Sequence, residues 1–520
     1  MTASLATDGP CFVAPYRPDK GGVDFLGLRQ VNLDMMGLCL PGINNVTRYI
    51  RPFSVVSWIY WKFHQLSDER MAGTVTNKEL QIWKEKVEIL FTWGHKLNGV
   101  TVPGSRDAKT PTSGPAPLDF AAWKRRAQNT SLMAAVTYGP ASKTIDGLGF
   151  LEPRGGGFFK TVGEGVLLAE TLNLHLLRFN LLKDIEAARA TAKQADRIFP
   201  AWSILNASQV ERRAFKRAFF DRSTVGALTS MGRRSTTLQL ALDVLNYSGK
   251  PLSTSAVRAL MFRGIPSSQN NGFHEPKLRP TWLRWIVLQT RQAQRLALEG
   301  LLRWFEVLLS QGYRDTEQIV AKTMKVIEDN DSIFPLCKPG RALNLLQQKI
   351  PTLDRALKRE RELNLFWLMD KILEAVRVPS EQLAPYCFRT LFLCAALSQL
   401  LEQQGPAKVE IQRGGAERVS LAFWVNTLLR CSNYELHDFL LFLFETLILS
   451  QHFGVAARRF DGNTQRLRIS IEEDGLEFLA DKVFAPSVTL DRLESALSLM
   501  KDCGLIGWDK TTQGYFARSS

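Results

Sequence analysis

Two stretches of the chain, residues 148–159 and 503–516, share one order of apolar, polar and aromatic positions. Each runs from a glycine through an apolar pair to a polar tip that contains glycine, and ends in an aromatic pair. Gly149 and Gly504 suit the left-handed conformation that ends a helix, and glycine at the tip suits a hairpin turn. A helix followed by such a hairpin is typical of a winged helix, so the pattern predicts two winged-helix-like modules.

Elsewhere, apolar positions recur with the spacing of helices. Thr76 with Glu79, and Ser208 with Glu211, form capping boxes that predict two helix starts. In the long helical stretch from Thr281 to Gln311, arginines are interleaved with tryptophans. We expect these tryptophans to lie in the core and the arginines to extend towards solvent. The sequence therefore predicts a mainly α, multi-helical protein.

Further helices ahead of both wings, and one hairpin, complete this prediction. Period-two alternation on both sides of Asp461-Gly462 predicts a β-hairpin near the C-terminus, with strands at Val455–Phe460 and Gln465–Glu472. Helices are predicted at 120–128, 131–138 and 142–148 in the first module and at 476–483 and 489–502 in the second.

These patterns divide the chain into six parts. In order, they are an N-terminal arm and aromatic helical region (1–97), a linker rich in Pro, Gly, Ser and Thr (98–118), a winged-helix-like module (119–177), a helical middle with a basic helix (178–404), helices with the β-hairpin (405–475), and a C-terminal winged-helix-like module (476–520).

The aromatic region near the N-terminus carries a recognisable pattern. Pro41-Gly42 is followed by Thr47-Arg48-Tyr49 and then by Val56, Trp58, Ile59 and Tyr60. Mainly over residues 23–66, this resembles an uncharacterised prokaryotic family whose members lie near helicases and nucleases in anti-phage defence islands. The resemblance implies a role in such a defence system. The structural interpretation of the same residues is a helix buried on most sides, with Arg48 capping its approach.

The balance of charge indicates the kind of partner. The 520 residues carry a formal net charge of +15, with 45% hydrophobic and 22% charged residues. An ordinary soluble composition with such an excess of cations favours a polyanionic partner, most often nucleic acid. The alternative is that the excess only keeps the protein soluble.

Basic side chains collect around the first wing and on one helix, where they are candidate phosphate contacts. Helical spacing places Arg213, Lys216 and Arg217 opposite an aromatic stripe. A solvated helix face, or a wing that contacts protein, explains the same residues. The full candidate set is Lys124, Arg125, Arg126, Lys143, Arg154, Lys160, Arg212, Arg213, Lys216, Arg217, Arg233 and Arg234.

Motifs for catalysis are absent from the sequence. No stretch fits the phosphate-binding loop G-x-x-x-x-G-K-[ST], and no two histidines have the spacing of metal ligands. The seven cysteines are scattered and never form C-x-x-C, which is typical of reduced, buried thiols. We therefore expect no metal and no cofactor. Glu445 with His437, Asp438 and His452 leaves a nuclease-like site as an alternative, although core or capping roles are favoured.

Two further features bear on location. Residues Met1 to Pro10 lack the basic head and apolar core of a signal peptide, and the most apolar helix, Phe439–Ser450, is too short to span a bilayer. We expect a cytoplasmic protein that has no contact with a membrane.

Together these features predict a non-enzymatic, DNA-binding scaffold subunit of a multi-protein prokaryotic defence complex. It would contact the phosphate backbone with low sequence specificity and dock a motor or nuclease partner protein. The defence role comes only from the resemblance. The first alternative is an adaptor, similar to a kleisin, whose winged helices dock partner proteins, and the second is a nuclease.

Overall fold

The computed structural model describes residues 24–69, 76–103, 105, 118–119, 132–133, 137–179, 181, 185, 189–265, 275–330, 338–359, 363–378, 380–460 and 466–518. With 64% helix and 7% strand, the protein is mainly α, as predicted. Its strands form only small antiparallel pairs.

The α-helices in chain order are α1 (Arg29–Cys39), α2 (Arg51–Glu69), α3 (Asn77–Leu97), α4 (Tyr138–Ser142), α5 (Glu164–Leu176), α6 (Ala192–Trp202), α7 (Gln209–Phe219), α8 (Ser230–Ser248), α9 (Thr254–Arg263), α10 (Arg279–Ser310), α11 (Thr316–Asn330), α12 (Pro339–Lys349), α13 (Leu353–Lys358), α14 (Leu365–Arg377), α15 (Leu383–Glu402), α16 (Gly405–Ile411), α17 (Leu421–Arg430), α18 (Leu436–Phe442), α19 (Gln451–Arg458) and α20 (Leu493–Asp502). A π-helix, Leu443–Ser450, joins α18 to α19.

The strands are β1 (Leu118–Asp119), β2 (Leu151–Gly155), β3 (Phe158–Thr161), β4 (Arg189–Ala190), β5 (Ile469–Glu472), β6 (Gly475–Phe478), β7 (Ile506–Asp509) and β8 (Gly514–Ala517). The antiparallel pairs are β1 with β4, β2 with β3, β5 with β6, and β7 with β8. The hairpins β2–β3 and β7–β8, here called wing 1 and wing 2, lie where the repeated glycine pattern predicts them.

The chain forms two compact units, one of residues 1–32 and 286–489 and one of residues 33–285 and 490–520. The first carries 28 lysines and arginines against 28 aspartates and glutamates, so we call it the neutral unit. The second, the basic unit, carries 38 against 23, which accounts for the whole net charge of +15. The range 476–520, predicted as one module, is divided between the two at residue 490.

The core of the basic unit is built on α2. Every residue from Arg51 to Tyr60 is buried, which confirms a helix covered on most sides. Its Phe53 ring contacts Tyr138 at 4.8 Å and Phe215 at 5.3 Å between ring centroids. Ahead of α2, the Ile50 amide donates to the Asp502 carboxylate at 2.9 Å. Asp502, and not Arg48 as predicted, therefore occupies the positive end of the helix.

The capping boxes are present as predicted. The Thr76 hydroxyl accepts the Glu79 amide at the start of α3, and the Ser208 hydroxyl accepts the Glu211 amide at the start of α7. In each box the glutamate side chain returns to the amide of the capping residue. These pairs satisfy amides that the first helical turn leaves without a partner.

The neutral unit is organised around α15, which packs against α12, α14, α16 and α17. In the neutral-unit part of α10, Trp304 is buried as predicted, but the arginines do not extend to solvent. Arg291 donates to the carbonyl oxygens of Val419 and Arg418, and buried Arg295 pairs with Glu299 one turn later at 2.8 Å. Paired in this way, these charges are tolerated in the core.

The predicted C-terminal hairpin is wrong in position. Val455–Phe460 is not a strand, because α19 continues to Arg458 and Arg459 then pairs with Asp24 at 2.9 Å. The hairpin instead joins β5 to β6 through Glu473 and Asp474. Asp461-Gly462 lies outside the residues that the structure describes. Alternation over so few residues does not separate a strand from an amphipathic helix.

Two predicted helices also differ. The range 476–483 is not a helix, since β6 covers Gly475–Phe478 and the residues after it form no helix. The helix predicted at 489–502 begins only at Leu493, because Arg492 has a left-handed backbone with φ of +64°. The residues from Thr489 to Asp491 therefore precede α20 without belonging to a helix.

Two helical segments, Leu383–Glu402 and Leu436–Arg458, are long and apolar enough to cross a membrane by length and composition. The second shows that the apolar helix predicted at Phe439–Ser450 is longer than expected, with 23 residues. Both belong to the neutral unit, where 83% and 56% of their most apolar windows are buried.

Two buried histidines make the fold sensitive to acid. The His95 ring accepts the Ile204 amide at 3.1 Å and the His452 ring accepts the Arg468 amide at 3.0 Å. Their other ring nitrogens face the carbonyl oxygens of Phe91 and Phe25, respectively. Burial lowers the pKa of each histidine from 6.5 to about 4, so both are neutral in the folded protein at pH 7.

We expect the free energy of unfolding to fall as the pH drops from about 6.5 towards 4, because the unfolded chain takes up protons that the folded protein excludes. The loss should be about 2 kcal/mol per histidine between pH 7 and pH 5. Urea denaturation at both pH values measures it. His95→Gln and His452→Gln should each reduce the pH dependence, while His175→Gln, on the exposed side of α5, should not. Equal pH dependence in all variants would contradict the assignment.

Candidate nucleic-acid interface

The basic helix α7 is amphipathic, with its cations opposite an aromatic stripe as predicted. It buries Ala214, Phe215, Ala218 and Phe219 and exposes Arg213, Lys216 and Arg217. The two phenylalanine rings stack at 5.1 Å beneath the cationic face. Spacings of three and four residues bring the three cations to one side of the helix.

Partners within the basic unit differ among these cations. The Arg217 guanidinium forms two hydrogen bonds to the Glu164 carboxylate, at 2.6 and 2.7 Å. Arg212 is less exposed, donates to the Ala207 carbonyl and lies 3.9 Å from Asp502. Arg213 and Lys216 form no ion pair with any residue that the structure describes. The exposed face of α7 therefore presents three cations against one carboxylate.

Wing 1 is a short hairpin that packs against α2 of the basic unit. Gly155, Gly156 and Gly157 at its tip all have positive φ, which explains why three glycines stand together. On β3, the Phe159 ring packs on Tyr60 at 5.3 Å, and its carbonyl oxygen lies 3.0 Å from the His64 ring. The wing is thus held on one edge by α2.

The cations of wing 1 have separate roles. Lys143 lies over the Phe159 ring at 5.2 Å, and Arg154 pairs with Glu152 at 2.9 Å. Lys160 is exposed on β3, and Glu164, the carboxylate that binds Arg217 of α7, follows it four positions later. The Arg217–Glu164 pair therefore joins α7 to the start of α5, the helix that follows wing 1 in the chain.

The helix predicted directly before wing 1, at 142–148, is wrong. Helix α4 ends at Ser142, and the loop after it brings Gly147 so close to Lys143 that a Cβ on Gly147 would lie 2.1 Å from the Lys143 carbonyl oxygen. A winged helix that reads DNA places its recognition helix in the major groove, and this loop offers none. The helix predicted at 120–128 and the cations Lys124, Arg125 and Arg126 lie outside the described residues.

Arg234 is not a candidate phosphate contact, because it is only 1% exposed. Its guanidinium donates to the carbonyl oxygens of Ala218, Phe219, Pro41 and Gly147, at 2.7, 2.9, 3.0 and 3.4 Å. Burial lowers its pKa to about 10, which still leaves it charged at pH 7. The arginine therefore joins the end of α7 to the loop before wing 1 and to the segment between α1 and α2.

Arg233, the next candidate, is 26% exposed and lies 3.9 Å from Asp146. Asp146 also accepts a hydrogen bond from the Ser230 hydroxyl at the start of α8. Of the predicted set, Lys160, Arg213 and Lys216 are exposed, and Arg154 and Arg217 are exposed but each paired to one carboxylate.

Wing 2 carries little positive charge. At its tip the Asp509 carboxylate accepts the amides of Thr511 and Thr512, beside Lys510. Its edge is closed by Leu252, which exchanges two backbone hydrogen bonds of 2.8 Å with Tyr515. No sequence signal indicates this third strand position. Helix α20 before the wing has seven buried residues of ten, so it presents little surface to a groove.

The structure does not assemble the proposed nuclease residues. His452 is buried and bonded to backbone, whereas Glu445 is exposed. The π-helix that contains Glu445 winds more residues into each turn than an α-helix, so a seven-residue spacing no longer returns to one face. Among the residues that the structure describes, no group of three or more His, Cys, Asp or Glu side chains can hold a metal ion.

Comparison of the chain with family models, curated proteins and solved structures finds no match.

Replacing Arg234 by Met should lower the free energy of unfolding by about 3 kcal/mol or more, because four carbonyl groups lose their donor in the core. Urea denaturation measures this loss. Arg233→Met, which removes the neighbouring, partly exposed arginine, should cost far less. If Arg234→Met left stability intact but weakened nucleic-acid binding, Arg234 would be a contact residue after all.

Proposed function

We propose that the protein is a non-enzymatic subunit that binds DNA through its basic unit. The observation that carries this proposal is the separation of charge, since one compact unit holds the whole net charge of +15 and the other holds none. Charge that served only solubility would have no reason to collect in one unit, whereas a polyanion-binding surface requires it.

The exposed cationic face of α7 and the neighbouring wing 1 are the proposed contact surface. Arg213 and Lys216 are exposed without an ion-pair partner among the described residues, and Lys160 extends this surface onto β3. The loop before wing 1 and the largely buried α20 provide no recognition helix. The proposed contacts are therefore to phosphate groups, with low sequence specificity.

The cellular role is the wider part of the proposal. The resemblance of residues 23–66 supports a place in a cytoplasmic, multi-protein anti-phage defence complex, beside a motor or nuclease partner. An adaptor function is the second candidate, favoured by the near-neutral tip of wing 2, where Lys510 lies beside Asp509. Co-purification of a partner that resists high salt and is lost on mutation of the wing 2 tip supports the adaptor.

The test is a salt titration of binding to labelled duplex DNA. The variant Arg213→Glu, Lys216→Glu, Arg217→Glu should bind at least tenfold more weakly near 0.1 M salt. The slope of log affinity against log salt should flatten by about 0.9 for each phosphate group that the variant no longer neutralises. Fluorescence anisotropy gives both quantities, and the same measurement with single-stranded DNA gives the strand preference.

A matched control carries the same change of charge on the neutral unit. Lys325, Arg341 and Lys349 are exposed on α11 and α12, and their joint replacement by Glu lowers the net charge equally. This control should keep the affinity and the slope of the wild type. If both triple variants weaken DNA binding equally, binding depends on the overall charge of the protein and not on the exposed face of α7. If the wild type does not bind DNA at low salt, the proposal is wrong.

A further inference from the structure

A cleft of about 850 Å³ opens on the surface of the neutral unit. One side is the helical segment that begins in the π-helix at Glu445 and continues into α19, and the other side is formed by residues 314–317 and by the β5–β6 hairpin. The apolar lining residues include Leu449, Phe453 and Ile471, and Ile471 is 71% exposed. An exposed β-branched side chain beside a half-buried aromatic ring marks apolar surface left open to a ligand.

The shape of the cleft suits a helix. The lining positions Glu445, Leu449, Phe453 and Ala457 form one stripe along the helical segment, at most about 18 Å long, since 1.5 Å per residue is the α-helical rise and the π-helix rises less. Gly454 and Ala457 have no bulky side chains, so a second helix can approach the C-terminal end of the stripe closely. Three turns of a partner helix match this length, as in helix-in-groove recognition.

The π-helix shapes one end of the cleft. It covers Leu443–Ser450 and buries Leu443, Phe444, Leu447, Ile448 and Leu449, while Glu445 remains exposed at the cleft. Because the winding changes within this segment, Glu445 faces the cleft and His452 faces the core. Single π-helical turns within α-helices are frequently found at functional sites.

The rim of the cleft is acidic. Its lining includes the carboxylates of Asp315, Glu317 and Glu445 against the single cation Arg314. The exposed turn of the adjoining hairpin adds Glu472, Glu473 and Asp474. An occupant with an apolar stripe flanked by lysines or arginines would match both the floor and the rim.

From these features we infer that the cleft docks a basic amphipathic helix of a partner protein. The inference does not rest on the proposed DNA binding, because it concerns the neutral unit and a different ligand. It assigns the two units different partners, a polyanion to one and a cationic helix to the other.

The experiment uses the full chain and a fluorescent 18-residue peptide with leucines along one helical face and lysines and arginines beside them. Anisotropy at about 0.15 M salt should show saturable binding. A peptide in which glutamate replaces each cation should not bind. Glu317→Lys with Glu445→Lys should weaken binding at least tenfold, whereas Glu328→Lys with Glu402→Lys, at exposed positions on α11 and α15, should not.

A blocking variant tests the cleft itself. A Cβ at Gly454 meets no atom within 4 Å, so Gly454→Trp can fill the cleft without disturbing the fold. It should abolish peptide binding at unchanged thermal stability. Gly405, on α16, is equally open, and Gly405→Trp should bind like the wild type. No saturable binding by the wild type, or equal binding by Gly454→Trp, would overturn the inference.

Discussion

The basic unit depends on one buried guanidinium. Arg234 holds the carbonyl oxygens that end α7, the loop before wing 1 and the segment that carries Pro41. Carbonyl groups at a helix end have no partner inside the helix, and a buried cation close to them gains from the helix dipole. Arg234 therefore holds the C-terminal end of α7, the helix that exposes Arg213 and Lys216, against two other segments of the unit.

The separation of charge gives the molecule two surfaces with different physical chemistry. On the basic unit, α7 and wing 1 carry exposed cations. This arrangement suits long-range electrostatic attraction, which salt screens. On the neutral unit, the exposed apolar cleft with its acidic rim favours a short-range, shape-dependent contact.

Local signals in the sequence were sufficient for the helical fold, the two capping boxes, the wing glycines and the amphipathic face of α7. Each depends on residues a few positions apart. Two of the features that were missed depend on distant partners, and two depend on local geometry that periodicity does not show. The sequence around Arg234 does not distinguish it from a surface arginine, because Pro41, which supplies one of its carbonyl partners, lies 193 positions away. Leu252 has no motif that pairs it with Tyr515, and Gly147 suits a loop only because of the approach to Lys143. The apolar positions of the π-helix have the spacing of an ordinary α-helix, so periodicity does not reveal its wider turn.

The π-helix also sets how the chain tolerates changes of length. The wide turn between Leu443 and Ser450 takes up one more residue than an α-helix would over the same rotation, so removing one residue there would restore α-helical winding with His452 still in place. Inserting a further residue would instead rotate α19, and the ring of His452 would turn away from the Phe25 carbonyl and the Arg468 amide, leaving polar groups without partners in the core. A single deletion in this segment is thus easier to accommodate than a single insertion.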